Sequence, residues 1–377
     1  MKILHLTTHL NTGGITTYIL RLIRPLKDRG IETYVLSSGG ECRGQFTERG
    51  AKVFDLPIKT KSELHPKIYL QLPAVAKLIR DENIDLIHAH TRITQVMAAW
   101  LKYLTGRPYV ATFHGFYRRR LGRRLWPCFG EGAIAISEGV RDHLVKDHFF
   151  SIKKVWTVNN AVDLDEIDQT FQRHDPAKVR AHFGLSPNDK VIGVVARLVQ
   201  DKVHEFLIRA VGELRHRYKG LKILIVGEGN YRAALEKLAR DLNLSSQVIF
   251  TGRQPDVTLP LAAIDIFSLP ATWREGFGLS IIEAMTCGKP VIVTNIWALN
   301  SLIQNRITGL MVPPSAVEPL AEAIAELIDN QALSATMQRA GRAMVERLFS
   351  ISRMADEIAA IYRSVPRNAL TGSPAVL

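Results

Sequence analysis

Short apolar runs alternate with amphipathic stretches along the first 160 residues of this chain. Each run ends at a glycine, a proline or a polar cluster, which is the pattern of a buried strand. The stretches between the runs repeat apolar residues at helical spacing, as in Thr16–Arg29, which closes at Gly30. The predicted strands are Lys2–Thr7, Glu32–Ser37, Lys52–Leu56, Leu86–Ala89, Tyr109–Thr112, Ala133–Ile136 and Val155–Val158.

The pattern begins again after a polar stretch at about 165–189. Strands separated by helices predict a parallel, doubly wound α/β sheet, so the chain is expected to form two Rossmann-like domains. We place an N-terminal domain at 1–165, a linker at 166–189 and a C-terminal domain at 190–349, followed by a helix at 350–365 and a tail at 366–377. The second set of predicted strands is Val191–Ala196, Lys222–Val226, Val248–Thr251, Ile264–Leu269 and Val291–Thr294.

Composition agrees with two globular domains and with a cytoplasmic protein. The 377 residues exceed one ordinary core, and they are 46% hydrophobic and 23% charged. No stretch reaches the roughly 18 apolar residues of a membrane helix, and the N-terminus is typical of a first strand rather than a signal peptide. Cys42, Cys128 and Cys287 show no paired spacing, as expected in a reducing compartment.

The net charge of +13 is concentrated in the first part of the chain. Residues 1–160 hold 25 Lys and Arg against 13 Asp and Glu, whereas residues 161–377 hold 24 against 23. This imbalance indicates an anionic partner for the N-terminal domain, such as a membrane surface, an acidic acceptor or a nucleic acid.

A basic segment at Phe116–Trp126 places aromatic and aliphatic residues among five arginines. It could be a solvated helix, an interfacial segment on anionic lipid or a site for single-stranded nucleic acid. We favour the membrane, at the inner face of the cell membrane, and expect no nucleic acid; Lys59, Lys61 and Lys67 could extend the same surface. The arginines are Arg118, Arg119, Arg120, Arg123 and Arg124.

The richest motif is Glu275-Gly-Phe-Gly-Leu-Ser-Ile-Ile-Glu283, followed by Cys287-Gly-Lys-Pro-Val-Ile292. It predicts a strand, a glycine loop and a helix. Ligands of α/β sheets bind at the carboxyl ends of strands, where such loops lie. Glycines let the backbone approach a ligand, and the helix start offers N–H groups to an anion. Carboxylates at Glu275 and Glu283 would suit sugar and ribose hydroxyls.

This string resembles the Glu-x7-Glu signature of the retaining glycosyltransferases of family 4, group 1 type, which have the GT-B fold. The resemblance implies a cleft between the two domains and a last helix that crosses back onto the first. It implies that Glu275 is catalytic and holds the donor sugar near its reacting carbon, and that Glu283 binds the nucleotide ribose. Gly276 and Phe277 would form the donor sugar loop, and Gly278 would lie at the diphosphate.

Arg197 and Lys202 resemble the family's Arg-Leu…Lys element, whose cations bind the donor diphosphate. They lie five residues apart across a predicted strand-to-helix turn, so both can converge on one anion. The family usually has glycine after this lysine, but this chain has Val203, which puts the geometry of the turn in question. Val203 is followed by His204.

Two first-domain elements also match the family. His114 and Gly115 end a predicted strand, and the resemblance implies that His114 is catalytic and lies against the donor sugar. Gly14, in the Gly13-Gly14 turn after the first strand, would let the donor diphosphate approach the backbone. Asn160-Ala-Val-Asp163 matches the end of the family's first domain, with alanine where glycine is common.

The expected activity is therefore transfer of a sugar from a nucleotide-diphosphate sugar to a hydroxyl of a glycan or glycolipid acceptor, with retention of the anomeric configuration. The acceptor is expected to be lipid-linked, as in polysaccharide or lipopolysaccharide biosynthesis, and a UDP-sugar is favoured over a GDP-sugar. No cofactor is expected. The alternatives are a nucleotide-sugar 2-epimerase of the same fold and a non-enzymatic basic protein that binds membranes or RNA.

No metal is expected at this site. The chain has no Asp-x-Asp motif, and a diphosphate site built from Arg197 and Lys202 does not need a cation. His88 and His90 could form a metal pair, but no third ligand is evident nearby in the sequence, so we expect buried structural histidines. The sugar, the base of the nucleotide and the acceptor stay open.

Overall fold

The computed structural model describes residues 1–60, 62–117, 122, 126–272, 275–297 and 299–365. The chain divides into two compact units, Met1–Asn160 together with the helix that begins at Ile351, and Ala161–Ser350. Among the described residues, no helix has the length and apolar character needed to cross a membrane.

The first unit alternates strands and helices. Its strands are β1 (Lys2–Leu6), β2 (Glu32–Ser37), β3 (Lys52–Asp55), β4 (Leu86–Ala89), β5 (Tyr109–Phe113), β6 (Ala133–Ala135) and β7 (Val155–Thr157). Its helices are α1 (Gly14–Asp28), α2 (Arg43–Glu48), α3 (Pro66–Asp81), α4 (Arg92–Thr105), α5 (Glu138–His148) and, from the end of the chain, α14 (Ile351–Ser364).

The seven strands form one parallel sheet in the order β3-β2-β1-β4-β5-β6-β7. The order reverses between β1 and β4, where His5 lies opposite His88 in register. Sheets of this kind bind ligands outside the carboxyl ends of the strands at such a switch point.

Helix α14 packs against α1 of the same unit and is tied to it by polar contacts. The Arg29 guanidinium donates to Asp356 at 2.7 Å and to the Ser352 carbonyl at 3.0 Å. On the inner face, the hydroxyl of the fully buried Tyr362 lies 2.6 Å from Nδ1 of His88. Helix α14 is thus part of the first unit's core.

The second unit repeats the alternation. Its helices are α6 (Leu164–Gln172), α7 (Pro176–His182), α8 (His204–Leu214), α9 (Arg232–Asp241), α10 (Thr258–Ala263), α11 (Leu279–Thr286), α12 (Val317–Asp329) and α13 (Gln331–Leu348). Its strands are β8 (Lys190–Val195), β9 (Leu221–Val226), β10 (Val248–Gly252), β11 (Ile266–Leu269), β12 (Val291–Thr294) and β13 (Leu310–Val312).

These six strands form a second parallel sheet, in the order β10-β9-β8-β11-β12-β13. The order reverses between β8 and β11, which pair through Ile266 with Ile192 and Phe267 with Gly193. A side chain on Gly193 would stand 1.9 Å from Ile264 Cδ1, so the close approach at the switch point requires glycine.

The predicted fold class is confirmed, since both units are parallel α/β sheets covered by helices. Two details differ from the sequence analysis. Strand β13 was not predicted, because Leu310–Val312 is three residues long and carries little pattern of its own. Residues 166–189, expected as a linker, contain α6 and α7, which pack on other helices of the second unit. Asp163 and Asp175 cap these two helices with their side chains.

Candidate active site

The predicted donor residues of the second unit lie in two loops at its switch point. Arg197 and Lys202 lie in the loop after β8, and Glu275 lies in the loop after β11. Because β8 and β11 are hydrogen-bonded neighbours, their carboxyl ends bring the two loops together. The fold therefore collects residues that are more than 70 positions apart in the sequence.

The β8 loop is shaped by two glycines of the neighbouring β9 loop. A Cβ on Gly227 would stand 2.0 Å from the Ala196 carbonyl oxygen, and one on Gly229 would stand 2.1 Å from that of Leu198. The Leu198 amide also donates to Glu228 O at 3.0 Å. The Gly227-Glu-Gly229 pattern thus lets one loop pack closely on another, which is a structural role.

The residue after Lys202 has a left-handed backbone conformation, at the position where the resembled family usually has glycine. Lys202 ends a 3-10 turn, Gln200–Lys202, and Val203 follows at φ 44°. A β-branched residue is rare there, because its Cβ crowds the backbone. Val203 therefore adopts a backbone conformation that glycine would adopt without strain.

Lys202 and Glu275 form an ion pair through Nζ and Oε2. Their side chains are only 16% and 15% exposed, so the pair is largely withdrawn from solvent. Arg197 is exposed and makes no ion pair with any residue that the structure describes. The loops therefore present one exposed cation beside one cation that is paired with a carboxylate.

Glu275 also bonds to the residue that precedes the next helix. Its Oε1 accepts a hydrogen bond from the Gly278 amide at 3.2 Å. Gly278 precedes α11 at φ 89°, and a Cβ there would stand 2.8 Å from Ile281 Cδ1. Glycine is thus required twice, by conformation and by space. Among the described residues, the Gly278 N-cap makes no side-chain cap hydrogen bond to the start of α11, so the first amides of this helix are available to an anion.

Two other predicted residues of this motif are buried. The ring of Phe277 is 2% exposed and packs edge-on against Phe349 at 5.6 Å, so its backbone, with that of Gly276, is what the loop can offer a ligand. Glu283 lies in the second turn of α11 and is 7% exposed.

In the first unit, Gly14 and His114 follow β1 and β5. Gly14 is the first residue of α1, which has no side-chain cap. Apart from its chain neighbours and the backbone of α1 itself, no described residue has an atom within 4 Å of the position that a Cβ on Gly14 would occupy, so packing among these residues does not demand glycine there. The uncapped helix start and the open space fit the predicted approach of an anion.

His114 belongs to a row of hydrogen-bonded histidines. Its Nε2 lies 3.1 Å from Nδ1 of His90, whose Nε2 lies 2.9 Å from Nδ1 of His5. Its ring also meets Tyr18 edge-on at 4.8 Å. Burial lowers the pKa of His5 and of His114 to about 3 and lowers that of His90 well below its usual value.

The structure supplies a third histidine beside the His88 and His90 pair, which sequence reasoning missed. Nitrogen atoms of His5, His88 and His90 all lie within 4.8 Å of one another, and the three residues are fully buried. His5 is 85 residues from His90 and lies on a different strand, so its proximity follows from the strand order alone.

The five arginines of the basic segment lie outside the described residues, but its two flanks are described. At the start, the Tyr117 hydroxyl accepts the His114 amide at 3.2 Å. At the end, the Arg92 guanidinium donates to the carbonyls of Trp126 and Pro127 and pairs with Glu63. The segment therefore begins beside His114 and ends against α4.

An exposed apolar surface lies next to the end of that segment. Trp100 of α4 meets Tyr69 of α3 at 6.3 Å and Trp126 at 5.8 Å, both edge-on. Tyr103 and Leu104 follow Trp100 at helical spacing and are 77% and 45% exposed. We call Trp100, Tyr103, Leu104 and Trp126 the α4 face.

Two protein-family models match the chain, and together they span both units. The model described as Glycosyltransferase Family 4 matches residues 12–166. The model described as Glycosyl transferases group 1 matches residues 176–344, which include both donor loops.

Curated relatives resemble the chain along most of its length. It is 24% identical to an N-acetyl-alpha-D-glucosaminyl L-malate synthase of Bacillus anthracis over 97% of this chain and 98% of that one. It is 23% identical to a UDP-Gal:alpha-D-GlcNAc-diphosphoundecaprenol alpha-1,3-galactosyltransferase of Escherichia coli over 96% of each. A GDP-mannose-dependent phosphatidylinositol monomannoside mannosyltransferase of Corynebacterium glutamicum is 36% identical over 51% of this chain and 52% of that one.

Solved structures share the fold. The Anabaena protein HepE, crystallised with UDP, superposes with a TM-score of 0.82 over 97% of this chain and 100% of that chain, at 22% identity. At this identity the likeness concerns the fold.

Proposed function

The chain belongs to family 4 of the glycosyltransferases, and we propose that it transfers a sugar from a UDP-sugar to a hydroxyl of a lipid-linked glycan or glycolipid. As a member of this family, it is a retaining enzyme with a nucleotide-sugar donor. The UDP, the lipid-linked acceptor and the roles of individual residues are the proposal.

The observation that carries the residue roles is the contact of Lys202 with Glu275. The predicted diphosphate lysine and the predicted sugar carboxylate meet, although they come from different loops. Without a donor, each neutralises the other in a poorly solvated place. Donor binding gives Lys202 the diphosphate oxygens, which frees Glu275 Oε2 for sugar hydroxyls.

Arg197 binds the same diphosphate, since it is exposed and forms no ion pair with a carboxylate of the described residues. Arginine offers a planar fork of donors and lysine a compact charge, so the two residues can bind different oxygens. The helix start at Gly278 adds backbone amides for an anion, and the diphosphate role proposed for Gly14 of the first unit rests on the family resemblance. Glu283 binds the ribose hydroxyls.

The reaction breaks the bond between the sugar's anomeric carbon and the diphosphate oxygen. Negative charge grows on the leaving diphosphate, and Arg197 and Lys202 stabilise it most in the transition state. The acceptor oxygen attacks from the face that the diphosphate leaves, and its proton passes to the leaving phosphate oxygen. This sequence retains the configuration without a protein nucleophile. Glu275 and His114 hold the donor sugar in position.

Two observations support a lipid-linked acceptor and attachment to a membrane. The first 160 residues carry a net charge of +12, and the α4 face exposes aromatic and aliphatic side chains beside the basic segment. Aromatic side chains next to cations are the composition of an interfacial surface on anionic lipid. The E. coli relative acts, by its name, on a diphosphoundecaprenol-linked sugar.

The names of the relatives point to different nucleotides. The E. coli relative is named for UDP-galactose, and HepE was crystallised with UDP, but the C. glutamicum relative is named for GDP-mannose. We propose UDP, and a GDP-sugar is the competing outcome. A thermal-shift screen with UDP, GDP, ADP, CMP and dTDP decides between them, since a ligand at 100 times its Kd adds about 2.7 kcal/mol of stability.

Neither the 2-epimerase nor the non-enzymatic binding protein gains support from the family models. Glu275→Gln tests the proposed activity directly. Glutamine can keep the oxygen that accepts from the Gly278 amide, and it replaces the charged oxygen that faces Lys202 by an amide group, so the ion pair is lost while the fold is expected to persist. We expect turnover to fall at least ~10²-fold while UDP still binds, because this contact matters most in the transition state. Turnover within threefold of wild type contradicts the role of Glu275.

A further inference from the structure

The row of histidines behind His114 is not explained by donor binding. His5 and His90 are fully buried in the sheet of the first unit, and among the described residues their hydrogen bonds reach no predicted donor residue except His114. Buried polar side chains are costly unless their hydrogen bonds are satisfied. The arrangement of these bonds determines where His114 carries its proton.

Each contact in the row is a nitrogen–nitrogen hydrogen bond, which needs one proton. Burial keeps the three imidazoles neutral near pH 7, so each ring has one N–H. His90 uses both nitrogens and must donate from one and accept at the other. The two bonds therefore run in the same direction, either from His5 to His114 or from His114 to His5.

The far end of the row distinguishes the two directions. Nε2 of His5 is buried and finds no hydrogen-bond partner within the part of the chain that the structure describes. If each histidine donated toward His5, Nε2 of His5 would carry a buried N–H without an acceptor. A buried donor without a partner is rarer in proteins than a buried acceptor without one. If it runs from His5 to His114, the atom is a bare acceptor, and His5 donates from Nδ1.

We propose that His5 and His90 are positioning residues that fix His114 as the Nδ1–H tautomer. In this arrangement Nε2 of His114 accepts from His90, and Nδ1–H points away from the row as a donor. Nδ1 makes no hydrogen bond with any described residue, and the half-buried side chain leaves it available to a ligand. A neutral donor at this atom suits a hydroxyl or phosphate oxygen of the nucleotide sugar.

The same histidines could instead hold a metal ion, since His5, His88 and His90 cluster closely. Their hydrogen bonds favour the row. Both ring nitrogens of His88 already have hydroxyl partners. Its Nδ1 lies 2.6 Å from the Tyr362 hydroxyl, and its Nε2 lies 2.6 Å from the Thr112 hydroxyl. The facing nitrogens of His5 and His90 are bonded to each other. A metal would have to displace these bonds in a fully buried place.

The test is the tautomer of His114 in protein labelled with ¹⁵N-histidine. Long-range proton–nitrogen spectra at pH 7.5 are expected to show Nδ1 protonated and Nε2 bare, with the resonance assigned by its loss in His114→Gln. In His5→Phe, His90 loses its donor and can turn, so the Nε2–H form of His114 is expected to gain population. Tyr362→Phe is the matched control, because it removes a buried hydrogen bond to His88 and leaves the row intact.

Three results overturn the proposal: Nε2–H as the main form in wild type, an unchanged tautomer in His5→Phe, or an equal change in Tyr362→Phe. Stoichiometric binding of Zn²⁺ that is lost in His5→Phe, His88→Gln and His90→Phe alike would also overturn it and assign a metal site.

The kinetic consequence rests on the proposed contact of His114 with the donor. His5→Phe is expected to lower kcat/KM for the donor about two- to tenfold, the loss of one neutral hydrogen bond, with a smaller change in Tyr362→Phe. If the tautomer behaves as expected but His114→Gln leaves kcat/KM unchanged, the row stands and the proposed role of His114 fails.

Discussion

At the scale of single residues, two unfavourable features follow Lys202: a left-handed valine backbone and a buried histidine. Val203 has a left-handed backbone, and His204, the first residue of α8, is fully buried. Neither ring nitrogen of His204 finds a hydrogen-bond partner among the described residues, and burial lowers its pKa to about 4. A buried imidazole whose two nitrogens have no hydrogen-bond partner lowers the free energy of unfolding.

Replacing His204 by leucine is therefore expected to raise the stability of the second unit. The change removes two unpaired polar atoms from an apolar place, whose cost is about 1–3 kcal/mol, and keeps a side chain of similar size. Denaturant unfolding measures the gain, with the exposed His182→Leu as a control that is expected to change little. A loss of stability in His204→Leu would mean that the imidazole has a partner, such as a bound water.

At the scale of secondary-structure elements, α4 joins the interior of the first unit to its surface. Thr91 and Thr94 form a capping box at its start, and Gly106 ends it at φ 69°. Arg92, in its first turn, holds the end of the basic segment. The face that carries Trp100, Tyr103 and Leu104 is left exposed.

We expect this face and the basic segment to bind anionic vesicles together. Changing Arg118, Arg119, Arg120, Arg123 and Arg124 to glutamine is expected to abolish co-sedimentation with such vesicles, since each cation near the surface contributes about 1 kcal/mol. Wild-type binding should also weaken as salt rises. UDP binding should persist in the variant, which shows that the second unit remains folded.

The apolar part of the surface is tested by Tyr103→Ser with Leu104→Ser. This double variant is expected to weaken vesicle binding at high salt, where the charges are screened. Ile307→Ser, at an exposed apolar residue of the second unit, is the matched control and should bind like wild type. Wild-type protein that ignores the vesicles, or variants that sediment like it, would contradict the membrane role.

At the scale of the whole molecule, the first unit encloses four neutral histidines. Burial lowers the pKa of His5, His88, His90 and His114, to about 3 for the first and last. In the unfolded chain they titrate near 6.5. Below that pH the unfolded state binds protons that the folded state does not, down to about pH 3 for His5 and His114, so acid favours unfolding.

The free energy of unfolding of the first unit should therefore fall as the pH falls from about 6.5 toward 3. Each of the four histidines contributes up to ~1.4 kcal/mol per pH unit. Hydrogen exchange of the amides in β1 and β4, corrected for the intrinsic rate at each pH, measures this unit by itself. Equal opening free energies at pH 7.5 and pH 5.5 would show that the histidines are solvated or charged in the folded state.

Most of the fold could be predicted because buried parallel strands are short apolar runs. Leu86–Ala89 and Val291–Thr294 were placed with the bounds that the structure has. Helices α6 and α7 were missed, although Asp163, Asp175 and Pro176 are helix-start signals, because their polar composition was taken for a linker.

The candidate site was predictable only as separate motifs. The sequence places Arg197, Lys202 and Glu275 in loops, but the contact of Lys202 with Glu275 depends on β8 lying next to β11. The histidine row depends in the same way on β1 lying next to β4. Strand order is set by packing of the whole unit, and a local pattern does not contain it.

We propose that Lys202 and Arg197 bind the donor diphosphate and that Lys202 exchanges Glu275 for it. Calorimetric titration with UDP and with uridine measures this exchange. Arg197→Ala is expected to weaken UDP binding about tenfold or more, since a hydrogen bond to a charged group is worth about 1.5–3 kcal/mol, and to leave uridine binding unchanged. Lys202→Ala should lose more affinity for UDP than Arg197→Ala does, because it also leaves the carboxylate of Glu275 unpaired near the diphosphate.

Adding Glu275→Gln to Lys202→Ala should restore part of the lost affinity for UDP, because the double variant no longer holds a buried, unpaired negative charge. We expect this partial recovery, with the affinity for uridine unchanged in all variants. Equal losses for UDP and uridine, or a double variant that binds UDP no better than Lys202→Ala, would contradict it.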